Sequence, residues 1–207
     1  MVQAKDIEVC EGKQGLDPKK RPVAELIMAR RSVRVFKPDP VKREEIIDLL
    51  NVAVWAPNHG NRQPWRFILV MDEARTAFAD AVLRTYTAEE REKVGAQRHA
   101  YLAGVPAQLI VLQQEDPRPK QREEDFGAVC CLIQNFQLAA WEQGLGVVWK
   151  TNPYIHDPRF RSDLGIQPGE KVIGVLLAGY AEAVPPARPR EAAESRLTVL
   201  DHFPLSK

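Results

Sequence analysis

The sequence predicts one domain in which helices and apolar strands share a single core. A chain of 207 residues, 44% of them hydrophobic, is long enough for one substantial core and short for two full domains. Helical periodicity and apolar, β-branched runs follow one another along the chain, and no internal period argues for a solenoid or propeller. The hinge of the pattern is residues 54–70, VWAPNHGNRQPWRFILV, where a helix passes into a strand through Pro57, Gly60 and Pro64. Pro57 disfavours the α region at Ala56, so the helix before it ends there. Residues 58–63 then gather amide, imidazole and guanidinium groups in a loop anchored at both ends, which suits either a ligand platform or a polar surface turn.

Charge and composition exclude several classes. Lys and Arg total 29 against 28 Asp and Glu, a formal net charge of +1, so no overall field draws a polyanion and no nucleic-acid partner is expected. The start of the sequence lacks a secretory apolar region, and no run approaches the roughly 18 apolar residues of a membrane span, so a cytoplasmic protein without membrane association is expected. Cys10, Cys130 and Cys131 and the four dispersed histidines have no metal-ligand spacing, so neither a metal site nor a disulfide framework is expected.

In chain order, residues 1–21 mix charge signs with Gly12, Gly15 and Pro18 and read as a flexible extension. From Pro22 a helix follows with Val23, Leu26 and Ile27 on one stripe, ending near Arg31. Ser32 to Phe36 reads as extended and Pro38 to Pro40 as a turn, with Asp39 capping the next helix and Pro40 opening it; Ile46, Ile47, Leu49, Leu50, Ala53 and Val54 face inward. The cluster Arg30, Arg31, Ser32, Arg34 is either a solvated helix end or a set of forked donors and a hydroxyl suited to a phosphate.

The run RFILVMD reads as a central strand, residues 73–83 as a helix, and the charged stretch to Gln97 as a helical excursion. VPAQLIVLQ reads as a second buried strand and EDPRPKQREED as a loop. Near Asp125 a long apolar helix begins, with Phe126, Val129, Cys130, Ile133, Phe136, Ala140 and Trp141 buried; Gly144 and Gly146 bracket its end and permit a close turn before another strand. Lys150, Thr151 and Asn152 follow that strand, DPRFRSDLGI is a short amphipathic helix, and KVIGVLLAGY is a strand with Gly174 and Gly179 at close-packing positions. Arg188 and Arg190 lie in an extended PPARPR segment, either as a solvated tail or as the second half of a phosphate site opened by Arg30 to Arg34.

Four stretches in order, RRSVRVF at 30–36, APNHGNRQPWRF at 56–67, WEQGLGVVW at 141–149 and GYAEAVPPARPR at 179–190, resemble the nitroreductase family of FMN-binding proteins. The resemblance spans nearly all of residues 22–190 and implies an α+β fold, a nitroreductase-like mixed central sheet surrounded by helices, in an intertwined homodimer whose two chains line an FMN groove. Residues 1–21 and 191–207 then flank the FMN-binding domain as extensions. By position, Arg30, Arg31, Ser32 and Arg34 correspond to the early phosphate-contacting segment, and Arg188 and Arg190 to the terminal one. Asn61 and Gln63 match the polar loop that approaches the flavin, Pro64 and Trp65 fix its course, and Gly144, Leu145 and Gly146 match the turn whose backbone approaches the ring.

The resemblance implies an FMN-dependent oxidoreductase that passes reducing equivalents from NADH or NADPH to a planar small-molecule acceptor, nitroaromatic or quinone-like, in ping-pong fashion. Such an enzyme needs no catalytic nucleophile, and no Ser-His-Asp or paired-carboxylate constellation is present. The chain departs from many relatives at Asn58 and His59, and at Gln143, where an acidic residue is common. Two other readings keep the flavin: a reductase or dehydrogenase for a non-nitro substrate, and a noncatalytic redox sensor.

Overall fold

A 24-residue helix and a 14-residue strand organise the chain. The computed structural model describes residues 22–202, so the expected extension 1–21 with Cys10, and residues 203–207 of the C-terminal one, lie outside the described residues. The elements are α1 (Pro22–Ala29), β1 (Val35–Phe36), α2 (Arg43–Ala53), β2 (Trp65–Met71), α3 (Ala74–Arg84), α4 (Ala88–Glu90), a π-helical turn (Arg91–Gly95), α5 (Ala96–Gly104), β3 (Ala107–Gln114), α6 (Pro119–Glu142), β4 (Leu145–Lys150), α7 (Pro158–Asp163) and β5 (Glu170–Ala183).

β5 is the hub of the sheet, pairing antiparallel with β1, β3 and β4, while β2 pairs antiparallel with β3. The parallel component is one bridge between Ser32 and Val147. Alternation along the strands divides the core in two. Leu109, Val111, Leu176, Leu145 and Val147 face α2 and α6, where Val129, Leu132, Ile133 and Phe136 are fully buried. Ile110, Leu112, Val175, Leu177 and Val148 face Phe78 and Val82 of α3, Leu102 of α5 and Phe160 of α7. Each fully buried large side chain contributes about 1.5–3 kcal/mol, so the inner face of α6 outweighs the modest helix propensity of its β-branched residues.

Several sequence expectations are corrected. α2 begins at Arg43 behind Lys42 rather than at Asp39 and Pro40; Glu45 Oε2 accepts the Lys42 N–H at 2.6 Å, and Tyr180 Oη donates to Glu45 Oε1 at 2.9 Å, so the helix starts where Glu45 can tie it to β5. The charged run after β3 is not all loop: α6 begins at Pro119, where a missing N–H costs nothing, and Lys120 and Glu124 pair one turn apart. β2 lies at the sheet edge rather than its centre. Phe126 is exposed with Lys171 over its ring, Cys130 and Trp141 are half-buried, and Ile47 of α2 faces out.

The close-packing glycines hold. A Cβ at Gly174 would sit 2.0 Å from Trp149 Nε1, which donates to the Ile173 carbonyl. Gly146 and Gly179 are cross-strand partners and so share a face. Val33 fills the space above Gly146, with its Cβ 2.6 Å from where a side chain would begin, while Phe36 and Pro106 fill it above Gly179. The segment 33–36 therefore crosses the sheet over two glycines.

Edge strand β2 is also tied across β3 to β5. Arg66 Nε and Nη2 donate to the two carboxylate oxygens of Glu170 at 2.5 and 2.7 Å, and the Gln167 N–H donates to the same carboxylate at 2.7 Å. The guanidinium, followed by that backbone donor, outweighs burial and holds the Glu170 carboxyl below its ordinary value. A depressed carboxylate contributes stability that is fully present above its unfolded pKa, about 4.3, and is lost as pH falls through the folded value. Thermal unfolding from pH 7 to 3 is expected to show an acid loss that is smaller in Glu170→Gln, with a cost of about 2 kcal/mol in that variant at pH 7. An identical acid profile in the variant would remove this contribution.

Candidate functional site

The first arginine cluster is shaped by the end of α1. Arg31 Nη1 donates to the carbonyls of Met28, Ala29 and Arg30 at 2.6, 2.9 and 2.8 Å, closing orphan acceptors of that helix terminus. Ser32 then bridges to Val147, and the buried Val33 donates its N–H to the Val147 carbonyl at 3.2 Å, so the segment is pinned along β4. The distant PPARPR segment returns to it. Arg30, Arg31, Ser32, Arg34, Arg188 and Arg190 line one cavity of about 570 Å³, walled by Ile27, Met28, Pro185 and Pro186.

Electrostatics single out Arg30 within this cavity. Burial, then the neighbouring charges of Arg31 and Arg190, push its guanidinium below the usual arginine range. Its Nη1 reaches Gln137 Oε1 at 3.5 Å, whereas its buried Nε has no hydrogen-bond partner among the described residues. Like charges converging on an orphaned donor leave the cavity short of an anion, and a phosphate, with three acceptor oxygens, fits that set. Gln137 was absent from the sequence expectations. A glutamine on the buried face of α6, among Ile133, Phe136 and Ala140, was the available signal.

The second motif, the loop between α2 and β2, is held in an uncommon backbone shape. Gly60, Asn61 and Gln63 have φ of 63°, 51° and 49°. Left-handed conformation is routine for glycine, tolerated by asparagine and uncommon for glutamine. Its anchors are explicit: Asn58 Oδ1 accepts the Gln63 N–H at 2.9 Å, and Gln114 N–H donates to the Pro64 carbonyl at 2.9 Å. Arg62 Nε and Nη2 bind the buried Asp125 carboxylate at 3.2 and 3.1 Å, and Nη2 also reaches Asp116 at 2.9 Å. Arg62 is thus a clamp on α6, which leaves the side chains of Asn61 and Gln63 exposed, 3.5 Å apart, with Pro64 buried and Trp65 half-buried behind them. His59 is exposed in the same loop.

The third motif splits. Gly144, at φ 80°, closes α6 in the left-handed conformation that glycine supplies freely, while Leu145 and Gly146 lie inside β4 rather than in the turn. Leu145 is buried, and the open space at Gly146 is taken by Val33. The structure thus brings the arginine cluster, the β4 glycine and the terminal arginines together. It does not bring the Asn61–Gln63 loop to them: Arg62 and Gln63 of that loop line another cavity, of about 440 Å³, with Pro64, Trp65, Arg66, Gln114 and Glu170. The residues of α6 that Arg62 and Arg30 reach, Asp125 and Gln137, are about 18 Å apart along the helix.

Among the described residues no group of three or more side chains could hold a metal ion, and no helix is long and apolar enough to cross a membrane.

Comparison with known proteins agrees with this architecture. The model of the Nitroreductase family matches residues 27–180. YfhC of Bacillus subtilis (strain 168), assigned by name to the NAD(P)H nitroreductases, is 36% identical over 179 residues, 84% of this chain and 92% of that protein. The crystal structure of a nitroreductase-like family protein from Bacillus cereus superposes with a TM-score of 0.85 at 40% identity, covering 88% of this chain and 98% of that one. The FMN-dependent nitroreductase NfnB from Mycobacterium smegmatis, solved in complex with NADPH, shares the fold at 20% identity, with a TM-score of 0.69 over 87% of this chain and 98% of that one.

Proposed function

Since the chain belongs to the nitroreductase family, we propose that it is an FMN-dependent oxidoreductase that moves reducing equivalents from NADH or NADPH to a nitroaromatic or quinone-like acceptor. One observation carries the cofactor reading: two arginine segments from opposite ends of the described chain meet in one cavity, around a buried guanidinium nitrogen without a partner among the described residues. Bound there, FMN supplies an isoalloxazine that accepts a hydride and later gives up the electrons, so no side chain has to act as nucleophile.

The residues divide the remaining work. Arg30, Arg34 and Arg188 offer forked donors to the phosphate, with Ser32 adding a hydroxyl; Arg31 and Arg190 each have one amino group committed to backbone carbonyls, Arg31 at the end of α1 and Arg190 at Arg188 and Pro189, and contribute charge and their remaining donors. Gly144, and the backbone into Leu145 and Gly146, is assigned to the ring edge. Asn61 and Gln63, strained and exposed with Pro64 and Trp65 as their rigid support, are assigned to the flavin as polar contacts, since strain of this kind collects at ligand sites.

We assign the Asn61–Gln63 loop at each flavin to the second copy of the chain, because one chain keeps it apart from the arginine cavity. Large apolar side chains support a homodimer: Val23, Ile27 and Met28 of α1, with Trp55, are half or more exposed, Trp55 at 72%. A planar acceptor and the nicotinamide take turns at one face, which is the ping-pong scheme, and a cytoplasmic setting with no nucleic-acid or membrane partner suits it. Gln143 in place of an acid, with the exposed His59, leaves room for a non-nitro acceptor.

Purification followed by flavin extraction and a steady-state acceptor panel tests the proposal. The expected result is FMN near one per chain and parallel double-reciprocal lines for nicotinamide against acceptor. A chain without FMN as purified and without affinity for it would contradict the reading; bound FMN with no turnover of any acceptor would leave a sensor.

A further inference from the structure

Among the described residues six arginines, Arg62, Arg66, Arg84, Arg118, Arg159 and Arg196, are paired with carboxylates. Beside the arginine cavity lies a second set of cations that is not. Arg34, Arg98 and Lys150 converge with Tyr101, Gln97 and Val94 on a cavity of about 400 Å³. Three elements meet here. The segment 33–36 carries Arg34 across the sheet, β4 ends at Lys150 on the same face as the buried Val148, and α5 brings Arg98 and Tyr101 over them. The π-helical turn Arg91–Gly95 places Val94 on the rim, and such turns occur often at functional sites.

A solvated cationic patch is the ordinary explanation for surface lysines and arginines. Two features argue against it here. Arg98, Tyr101 and Lys150 are all partly buried, and among the described residues none of them, nor Arg34, makes a side-chain hydrogen bond or ion pair. Burial first, then Arg34 and Arg98, push the Lys150 ammonium down, and burial raises Tyr101 against the pull of the same two arginines. Arg34 is shared with the cavity assigned to the FMN phosphate; Arg98 and Lys150, held beside it with no carboxylate partner among the described residues, raise the local potential, which a further anion would relieve. Tyr101 and Val94 supply apolar walls for a flat body behind the anionic group, and a guanidinium or ammonium can sit over its ring.

We propose that this cavity, joined to the arginine cavity through the shared Arg34, binds the anionic group of a redox partner, a carboxylate or phosphate on a molecule that also carries a flat ring. The inference rests on the oxidoreductase reading for the meaning of the ligand, though not for its binding. The anion has two possible sources, a carboxylate on the electron acceptor or the extra phosphate of NADPH.

Calorimetric titration of the protein as purified, without turnover, separates these sources. One pair of probes is 4-nitrobenzoate against its neutral analogue 4-nitrobenzamide; the other is NADP⁺ against NAD⁺. Wild-type protein is expected to favour the more anionic member of at least one pair by tenfold or more. Arg98→Ala and Lys150→Ala should each reduce that preference to under threefold, while Arg98→Lys recovers part of it. Preference within the first pair assigns the acceptor, and within the second the dinucleotide. Equal affinities in both pairs for wild type, or a preference that survives both alanine variants with the fold intact by circular dichroism, would overturn the proposal. Absence of FMN would instead count against the oxidoreductase reading, since these titrations report binding alone.

Discussion

Arg30→Ala is expected to keep its fold and lose FMN, with the dissociation constant rising about 10- to 100-fold, or about 1.4–2.8 kcal/mol. Arg30 is the most constrained donor of the cavity: its Nε is buried and has no partner among the described residues, and burial, then Arg31 and Arg190, already press on its charge. Removing it deletes a charge-assisted contact to the phosphate and also relieves that repulsion, so folding should change less than binding. Arg34→Ala and Arg190→Ala are expected to follow with smaller losses, since both side chains are more exposed. Arg31→Ala should instead loosen the end of α1, where its Nη1 serves three carbonyls. Flavin fluorescence titration of each variant, with circular dichroism and oligomeric state alongside, reads the difference. Unchanged FMN binding in the Arg30, Arg34 and Arg190 variants together would remove the phosphate assignment.

Gly146→Ala is expected to damage both fold and site. Its new Cβ would lie 2.6 Å from Val33 Cβ and Cγ2, and a short β-branched side chain with no exposed surface cannot swing aside. Overpacking of this kind costs about 1–3 kcal/mol. The strain falls on the segment that carries Ser32 and Arg34, so FMN affinity should drop about two- to tenfold as well, if half of that strain reaches the bound state. A double-mutant cycle with Val33→Gly identifies the cause: the double variant should be more stable than the sum of the two single losses predicts. Strict additivity in thermal and denaturant unfolding would show that the contact is not what limits position 146.

The parts legible in the sequence were those with local causes. Gly144 had to close a helix, Gly174 and Gly179 had to admit bulky neighbours, and the apolar face of α6 had to be buried, because turn chemistry and periodicity act over a few residues. The meeting of RRSVR with PPARPR was legible only through their order and resemblance, since no local rule ties residue 34 to residue 190. Arg62 shows the limit from the other side: a loop guanidinium looked free for a ligand, yet its partner Asp125 lies far along the chain on another element. The start of α6 was hidden because EDPRPKQREED carries loop-like charge, while Pro119 suits a first turn and the charged groups reach solvent. Phe126 was misplaced inside because a helical stripe gives a face but not its width, and the sheet covers only part of that face. Arg98 and Tyr101 carried no motif at all; their meeting with Lys150 depends on how α5 crosses β4.

The central claim is that the chain holds FMN and exchanges reducing equivalents with a nicotinamide at that site. Anaerobic stopped-flow absorbance of the flavin-loaded protein, mixed separately with NADH and NADPH, tests it most directly. Loss of the oxidised-flavin band at a rate no slower than steady-state turnover, followed by its return on adding a nitroaromatic or quinone acceptor, is the predicted result. Flavin that stays oxidised with both nicotinamides, in an intact assembly with full FMN content, would contradict it.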